Sequence, residues 1–118
     1  MDSSFSREER ICKRKDFEEA YKKGVRSVSK NFTLIVHPNI VGKRRLGMTV
    51  GKKVGKAVKR NRIKRIVREY FRLNKELFLP GSDMVFIANY QTRNLTYQTL
   101  SQEMKTILYP VIIDKETI

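Results

Sequence analysis

The stretch from Lys43 to Arg72 constrains this chain more than any other. Its thirty residues hold 13 of the 26 lysines and arginines and a single acid, Glu69, so they carry +12 of the net +14. Charge this dense repels itself unless something anionic and polyvalent lies against it. The stretch is also patterned. From Val58 onward, Ile63, Ile66, Val67, Tyr70 and Phe71 recur at the i, i+3, i+4 spacing that lines one helical face. At about 100° per residue, Arg62, Lys64, Arg65, Arg68 and Arg72 fall on the opposite side. Lys56, Lys59 and Arg60 project on the apolar side, ahead of the apolar stripe, so the first turns overhang the core and present cations beside it. A charge run is more often a solvated face, but the acids that balance such a face are missing here. The asymmetry points to nucleic acid.

Length and composition fit one domain, residues 1–118, with a real core. Hydrophobic residues make up 40%, too many for a disordered basic tail. One cysteine, Cys12, excludes an internal disulfide, and one histidine, His37, leaves no zinc cluster. Residues 1–15 are polar and charged, unlike a signal peptide, and no apolar run approaches the ~18 residues of a membrane span. A membrane-surface role is disfavoured because the apolar face of the basic helix is needed for the core. The expectation is a cytoplasmic protein with no membrane partner.

In order, the pattern predicts a loose lead over residues 1–10 and a short helix from Lys15 to Gly24. That helix carries Phe17 and Tyr21 four apart on one face. A short strand follows at 25–29, a clear one at Phe32–Val36 ended by Pro38, and another at Arg45–Val50, antiparallel to the strand before it. Gly51 to Gly55 forms a turn whose two glycines let backbone amides approach a phosphate, without P-loop spacing. The basic helix runs from about residue 55 to 74. Met84–Ala88 is nearly continuous apolar, as in a strand buried on both faces. After a turn at 94–96, Thr96 caps a last helix whose Leu100, Met104, Ile107 and Leu108 form one stripe until Pro110, leaving 111–118 as a tail. The order α-β-β-β-α-β-α is an α+β sandwich, with two longer helices on one side and a parallel strand–helix–strand unit.

No catalytic constellation is present. Acid pairs occur only at Glu8-Glu9 and Glu18-Glu19, both read as solvated, and the strands carry just Asp83. A two-metal nuclease needs several converging carboxylates, and His37 has no second general acid to work with. What remains is binding. The cations can hold phosphates, Asn61 can reach a base edge, a backbone or only its own helix, and Phe17, Tyr21 and Phe32 offer rings for stacking unpaired bases.

The run Arg60-Asn61-Arg62-Ile63-Lys64-Arg65-Ile66-Val67-Arg68-Glu69 resembles the arginine–asparagine–arginine signature of the protein subunit of bacterial ribonuclease P. Upstream, Arg45 to Val58 is similar to that family's strand and lysine-pair turn in the same register. Asp16-Phe17, Tyr21, Lys23-Gly24 and Asn31-Phe32 resemble its N-terminal pattern, and Met84–Ala88 and Leu95-Thr96-Tyr97 its C-terminal one. The likeness covers roughly residues 10–108. It implies a left-handed β-α-β crossover and a ribonucleoprotein whose RNA subunit, with Mg²⁺, cleaves precursor tRNA to free the mature 5′ end. It implies no catalytic residue on this chain and does not say which residues approach metal. By position, Lys52, Lys53, Lys56, Lys59, Arg60, Asn61, Arg62, Lys64, Arg65 and Arg68 would meet the catalytic RNA, and Phe17, Tyr21 and Phe32 would line a groove for the single-stranded 5′ leader. Two positions depart from the family: Ile35 stands where many relatives carry tyrosine, and Gly51 where serine is common. The principal rival is a general structured-RNA-binding protein of ribosomal type. A DNA-binding regulator lacks the short helix that precedes a recognition helix, and no DNA partner is expected.

Overall fold

The most apolar run of the chain takes an inner position of its sheet. In a computed structural model, which describes residues 7–90, 92 and 95–116 (side chains as far as 107), the elements follow in the order α1 (Arg14–Lys23), β1 (Val25–Val28), β2 (Phe32–Pro38), β3 (Arg45–Thr49), α2 (Ala57–Leu73), β4 (Ser82–Ala88) and α3 (Tyr97–Glu116). The strands form one sheet in the order β1-β2-β4-β3. Strand β4 pairs antiparallel with β2 and parallel with β3, as expected for the two ends of a strand–helix–strand unit.

Alternation along β2 and β4 sorts their side chains between two cores. Phe32, Leu34, Met84 and Phe86 face α2 and α3, where they meet Ile63, Val67, Tyr70, Phe71, Leu100 and Met104. Ile35 and Val85 face the other way, toward Ala20 of α1 and Ile11. The near-continuous apolar run of β4 therefore has burial on both sides to account for it. Within α2, burial of Ile63, Val67, Tyr70 and Phe71 contributes roughly 1.5–3 kcal/mol each. Repulsion between like-charged neighbours on a helix costs only a few tenths of a kcal/mol per pair. Packing wins, and the helix forms despite its charge.

Three expectations change. First, β3 runs opposite to β2 but does not lie beside it, because β4 sits between them. A strand that is apolar on both faces gains more from the interior than a hairpin gains from being adjacent in sequence. Second, the lead is not loose where it is described. Arg7–Glu9 forms a 3-10 turn, the Ile11 amide donates to the Leu46 carbonyl at 3.0 Å, and Ile11 is buried. Third, α3 continues past Pro110 to Glu116, so residues 111–116 are helix rather than tail. Proline removes one amide donor there without ending the backbone helix. Residues 1–6, 94, 117 and 118, and the Leu108 side chain of the expected stripe, lie outside the described set. The Thr96 cap is present: the Thr99 amide donates to its hydroxyl at 3.1 Å. No described helix is long and apolar enough to cross a membrane.

Candidate nucleic-acid interface

The basic helix is introduced by a 3-10 turn, Lys52–Val54, which drops Val54 into the core and leaves Lys52 and Lys53 exposed. Gly55 follows with φ of 152°, a backbone conformation that favours glycine, and its missing Cβ leaves room for the Lys59 side chain. That bend brings Lys56 to the start of α2. No side chain caps the helix and no acid lies in its first turn, so the cations crowd its positive end without compensation.

The predicted contacts to RNA divide into two sets. Lys56, Asn61, Arg62, Arg65 and Arg68 are exposed, like Lys52 and Lys53. Among the described residues none of these six cations has an ion-pair partner, and the Asn61 side chain makes no hydrogen bond. Local bonding does not occupy that amide. The single acid of the stretch, Glu69, is taken by Arg72 at 2.5 Å, which lowers the Glu69 pKa through the hydrogen bond. Lys59, Arg60 and Lys64 are half-buried. The Lys59 ammonium donates to the Thr92 carbonyl at 2.7 Å, so it also ties α2 to the loop before α3. Arg60 Nε is buried with no partner among the described residues. Lys56, Lys59 and Arg62 share a cleft of about 490 Å³ with Val58, Ile63 and Leu95, and Val58 is 84% exposed at its mouth.

On the opposite face of the sheet, α1 crosses the strands and leaves part of that face uncovered. Phe17 and Tyr21 project from α1 over β3, their ring centroids 6.4 Å apart. The Phe17 ring lies against Gly47, where a Cβ would approach it to 2.6 Å, and the Tyr21 hydroxyl bonds the Thr49 hydroxyl at 2.8 Å. Both rings are half-buried, with Ile87 half-buried beside them. They make an aromatic shelf, and the exposed Lys52 and Lys53 begin three residues beyond the Thr49 contact.

Phe32 is not part of that shelf. It is 1% exposed, stacks on Phe86 at 4.8 Å and faces α2 and α3, so its place among leader-contact residues is withdrawn. Strand alternation is the reason: Ile35, three residues on, faces α1, and three is an odd step. Ile35 itself is fully buried under α1.

Other residues matter to the geometry although the sequence did not point to them as parts of the site. Asp83 is a buried carboxylate near the start of β4. It is 3% exposed in side chain and receives two bonds from the Arg45 guanidinium, each 2.7 Å, and a third from Asn39 at 2.8 Å. Asp16 joins from α1 at 3.4 Å, and the Arg45 pKa is raised, chiefly by the bond to Asp83. This cluster fixes the first turn of α1, and hence Phe17, against β3. Gly47 is the position on which Phe17 rests, and a glycine inside a strand was the available signal of a close approach. Of the acid pairs, Glu8, Glu18 and Glu19 keep the solvated setting expected of them although each has a cationic partner, and only Glu9 is drawn in. Glu8 and Glu18 pair with Lys43 and Arg14, Glu9 with Lys75 at 2.7 Å in a half-buried setting, and Glu19 with Lys23 at 3.5 Å.

Fold and surface together define a small α+β sandwich that concentrates its charge on one helix and leaves an aromatic shelf on the opposite face. The family model described as Ribonuclease P matches residues 5–111. The "Ribonuclease P protein component" of Syntrophus aciditrophicus is 46% identical over 105 residues, covering 89% of this chain and 88% of that protein. That of Clostridioides difficile is 35% identical over 105 residues, 88% and 92%. Among solved structures, the RNase P protein of Staphylococcus aureus superposes with a TM-score of 0.77 at 33% identity, covering 87% of this chain and 94% of that one. The RNase P protein of Thermotoga maritima gives 0.74 at 33%, covering 85% and 94%. The chain belongs to the ribonuclease P protein family.

Proposed function

We propose that this chain is the protein subunit of a bacterial ribonuclease P ribonucleoprotein that cleaves precursor tRNA in the cytoplasm to free the mature 5′ end. The catalytic RNA lies along α2, met by the exposed Lys56, Asn61, Arg62, Arg65 and Arg68, with Lys59, Arg60 and Lys64 closer to the core. The single-stranded leader lies on the shelf of Phe17 and Tyr21, with Lys52 and Lys53 at its end. The observation that carries this reading is the division of labour along α2. One stripe is buried, the only acid is paired with Arg72, and Arg62, Arg65 and Arg68 project into solvent without ion-pair partners among the described residues.

Catalysis belongs to the RNA in this proposal. Among the described residues no three His, Cys, Asp or Glu side chains come together to hold a metal ion. In this proposal Mg²⁺ is assigned to the RNA, where it would supply charge neutralisation and an activated water. The protein's work is positional. Its cations offset phosphate repulsion, and its rings hold an unpaired strand by stacking, which contributes about 1–3 kcal/mol per base.

Reconstitution tests it. This protein, a bacterial ribonuclease P RNA and precursor tRNA are mixed at low Mg²⁺, and leader release is followed. Cleavage that needs both components is the expected result. Tight binding to any structured RNA without stimulated cleavage would move the chain to the general RNA-binding class. An Arg65→Ala variant sharpens the assignment, because each lost phosphate contact lowers the slope of log K against log salt by about 0.9.

A further inference from the structure

At the end of the sheet away from Lys52 lies a second cleft, of about 570 Å³, between residues 7–13, the first turn of α1 and the β2–β3 loop. Six of the eight charged residues that line it are cations. Both acids are already engaged, Glu8 by Lys43 and Asp16 by Arg45. Arg7, Lys13 and Lys15 remain exposed, with no ion-pair partner among the described residues. No side chain caps α1, whose positive end opens here. The facing wall is apolar: Ile40 is fully exposed and Val41 is half-exposed, although both belong to a loop on a strongly charged protein. The walls are held in place by the Ile11–Leu46 backbone bond and by the Arg45 cluster.

We propose that this cleft is a second RNA-contact site, which takes the phosphodiester backbone of a single strand on its Arg7, Lys13 and Lys15 wall and an unstacked base on its Ile40 and Val41 wall. The proposal rests on the reading of the chain as a ribonuclease P protein. Solvated surface lysines need no apolar wall opposite them, and an acidic peptide would leave that wall uncovered. A nucleotide presents both chemistries at once. At about 3.3 Å per residue, roughly 20 Å of strand and turn separate Arg45 on this cleft's floor from Lys52. The contact is therefore additional to those of α2 and the shelf. It adds a second anchoring point for RNA at the far end of the sheet.

The strand can come from the catalytic RNA or from a long leader, and one experiment separates them. Wild type and Lys13→Gln/Lys15→Gln are titrated over a range of KCl in two arms. The first measures binding of the protein to the catalytic RNA. The second measures binding of the reconstituted holoenzyme to precursor tRNA with a short or a long leader. Both lysines are exposed and unpaired, so the thermal melt of the variant stays at the wild-type value. The expected result is a slope of log K against log salt shallower by about 0.7–0.9 per lysine in one arm. A change in the first arm assigns the strand to the catalytic RNA, and a change confined to the long leader assigns it to the substrate. Unchanged slopes in both arms, with wild type assembling normally, overturn the proposal and leave the cleft to a protein ligand. Failure of wild type to assemble with the RNA overturns the parent reading instead.

Discussion

The two faces of the sheet treat aromatic residues in opposite ways. Under α2 and α3, Phe32, Phe86, Tyr70, Phe71 and Phe78 interlock, and burial pushes the Tyr70 phenol up to about 12. Under α1 the closed core among the described residues is Ile11, Ala20, Ile35 and Val85, and Phe17 and Tyr21 stand at its rim. A face covered by two long helices closes over these five rings and leaves only Tyr97, at its margin, half-buried among the described residues. A face crossed by one ten-residue helix leaves rings half in solvent, where a base can reach them. Position on the thick or the thin face, more than residue type, separates packing from recognition here.

The comparison breaks most visibly at Phe32. Phe32→Ala is expected to cost about 3–5 kcal/mol of stability, measured by chemical denaturation, with leader affinity unchanged in the molecules that remain folded. A loss of leader affinity at full stability would return Phe32 to the groove. Next comes the pair that holds α1 in place. Asp83→Asn leaves the Arg45 guanidinium short of its buried partner and is expected to cost about 3 kcal/mol; a change of under half a unit would mean that the cluster holds little of the thin face together.

On the thin face itself, Phe17→Ala is expected to weaken holoenzyme affinity for precursor tRNA by about 1–3 kcal/mol while binding of mature tRNA stays the same. Phe17 also rests on Gly47, so some stability is lost as well. The discriminating quantity is the precursor-to-mature ratio, which a purely structural role would not move. The smallest effect belongs to Glu103 on the thick side. It accepts bonds from the Ser29 hydroxyl at 2.6 Å, the Asn31 amide at 3.0 Å and the Asn31 side chain at 2.8 Å, tying α3 to the β1–β2 turn. Burial pushes its carboxyl up, but those bonds and nearby Lys30 outweigh it, so the pKa lies below the ordinary value. A carboxyl with a depressed folded pKa contributes stability above its unfolded value, about 4.3 for glutamate, and loses it as pH falls through the folded one. Wild type is thus expected to lose about 1 kcal/mol on acidification through that window, and Glu103→Gln to show no such step in the pH dependence of its denaturation midpoint.

Much of this was legible in the chain itself. The basic amphipathic helix, its bounds to within two residues, the double-sided burial of Met84–Ala88 and the Thr96 cap all follow from local spacing. These are properties that a segment of 5 to 20 residues expresses without knowing its partners. Which strand lies beside which is another kind of property. Nothing local in Arg45–Thr49 says that β4 will come between it and β2. Nor does Pro110 say by itself that its helix continues.

The site shows the same boundary. The cations of α2 were readable because charge on the face opposite an apolar stripe projects into solvent wherever the helix docks. The aromatic set was not, because Phe17, Tyr21 and Phe32 look alike in sequence and only the sheet assigns them to faces. The same holds for Asp83 and Arg45, 38 residues apart, whose pairing makes the one acid of the strands the fixed point of α1. The sequence by itself determined the elements, the charge and the family likeness, since each is carried by neighbours along the chain. The tertiary structure decided which ring is core and which is surface, because that depends on how many helices cover each face of the sheet.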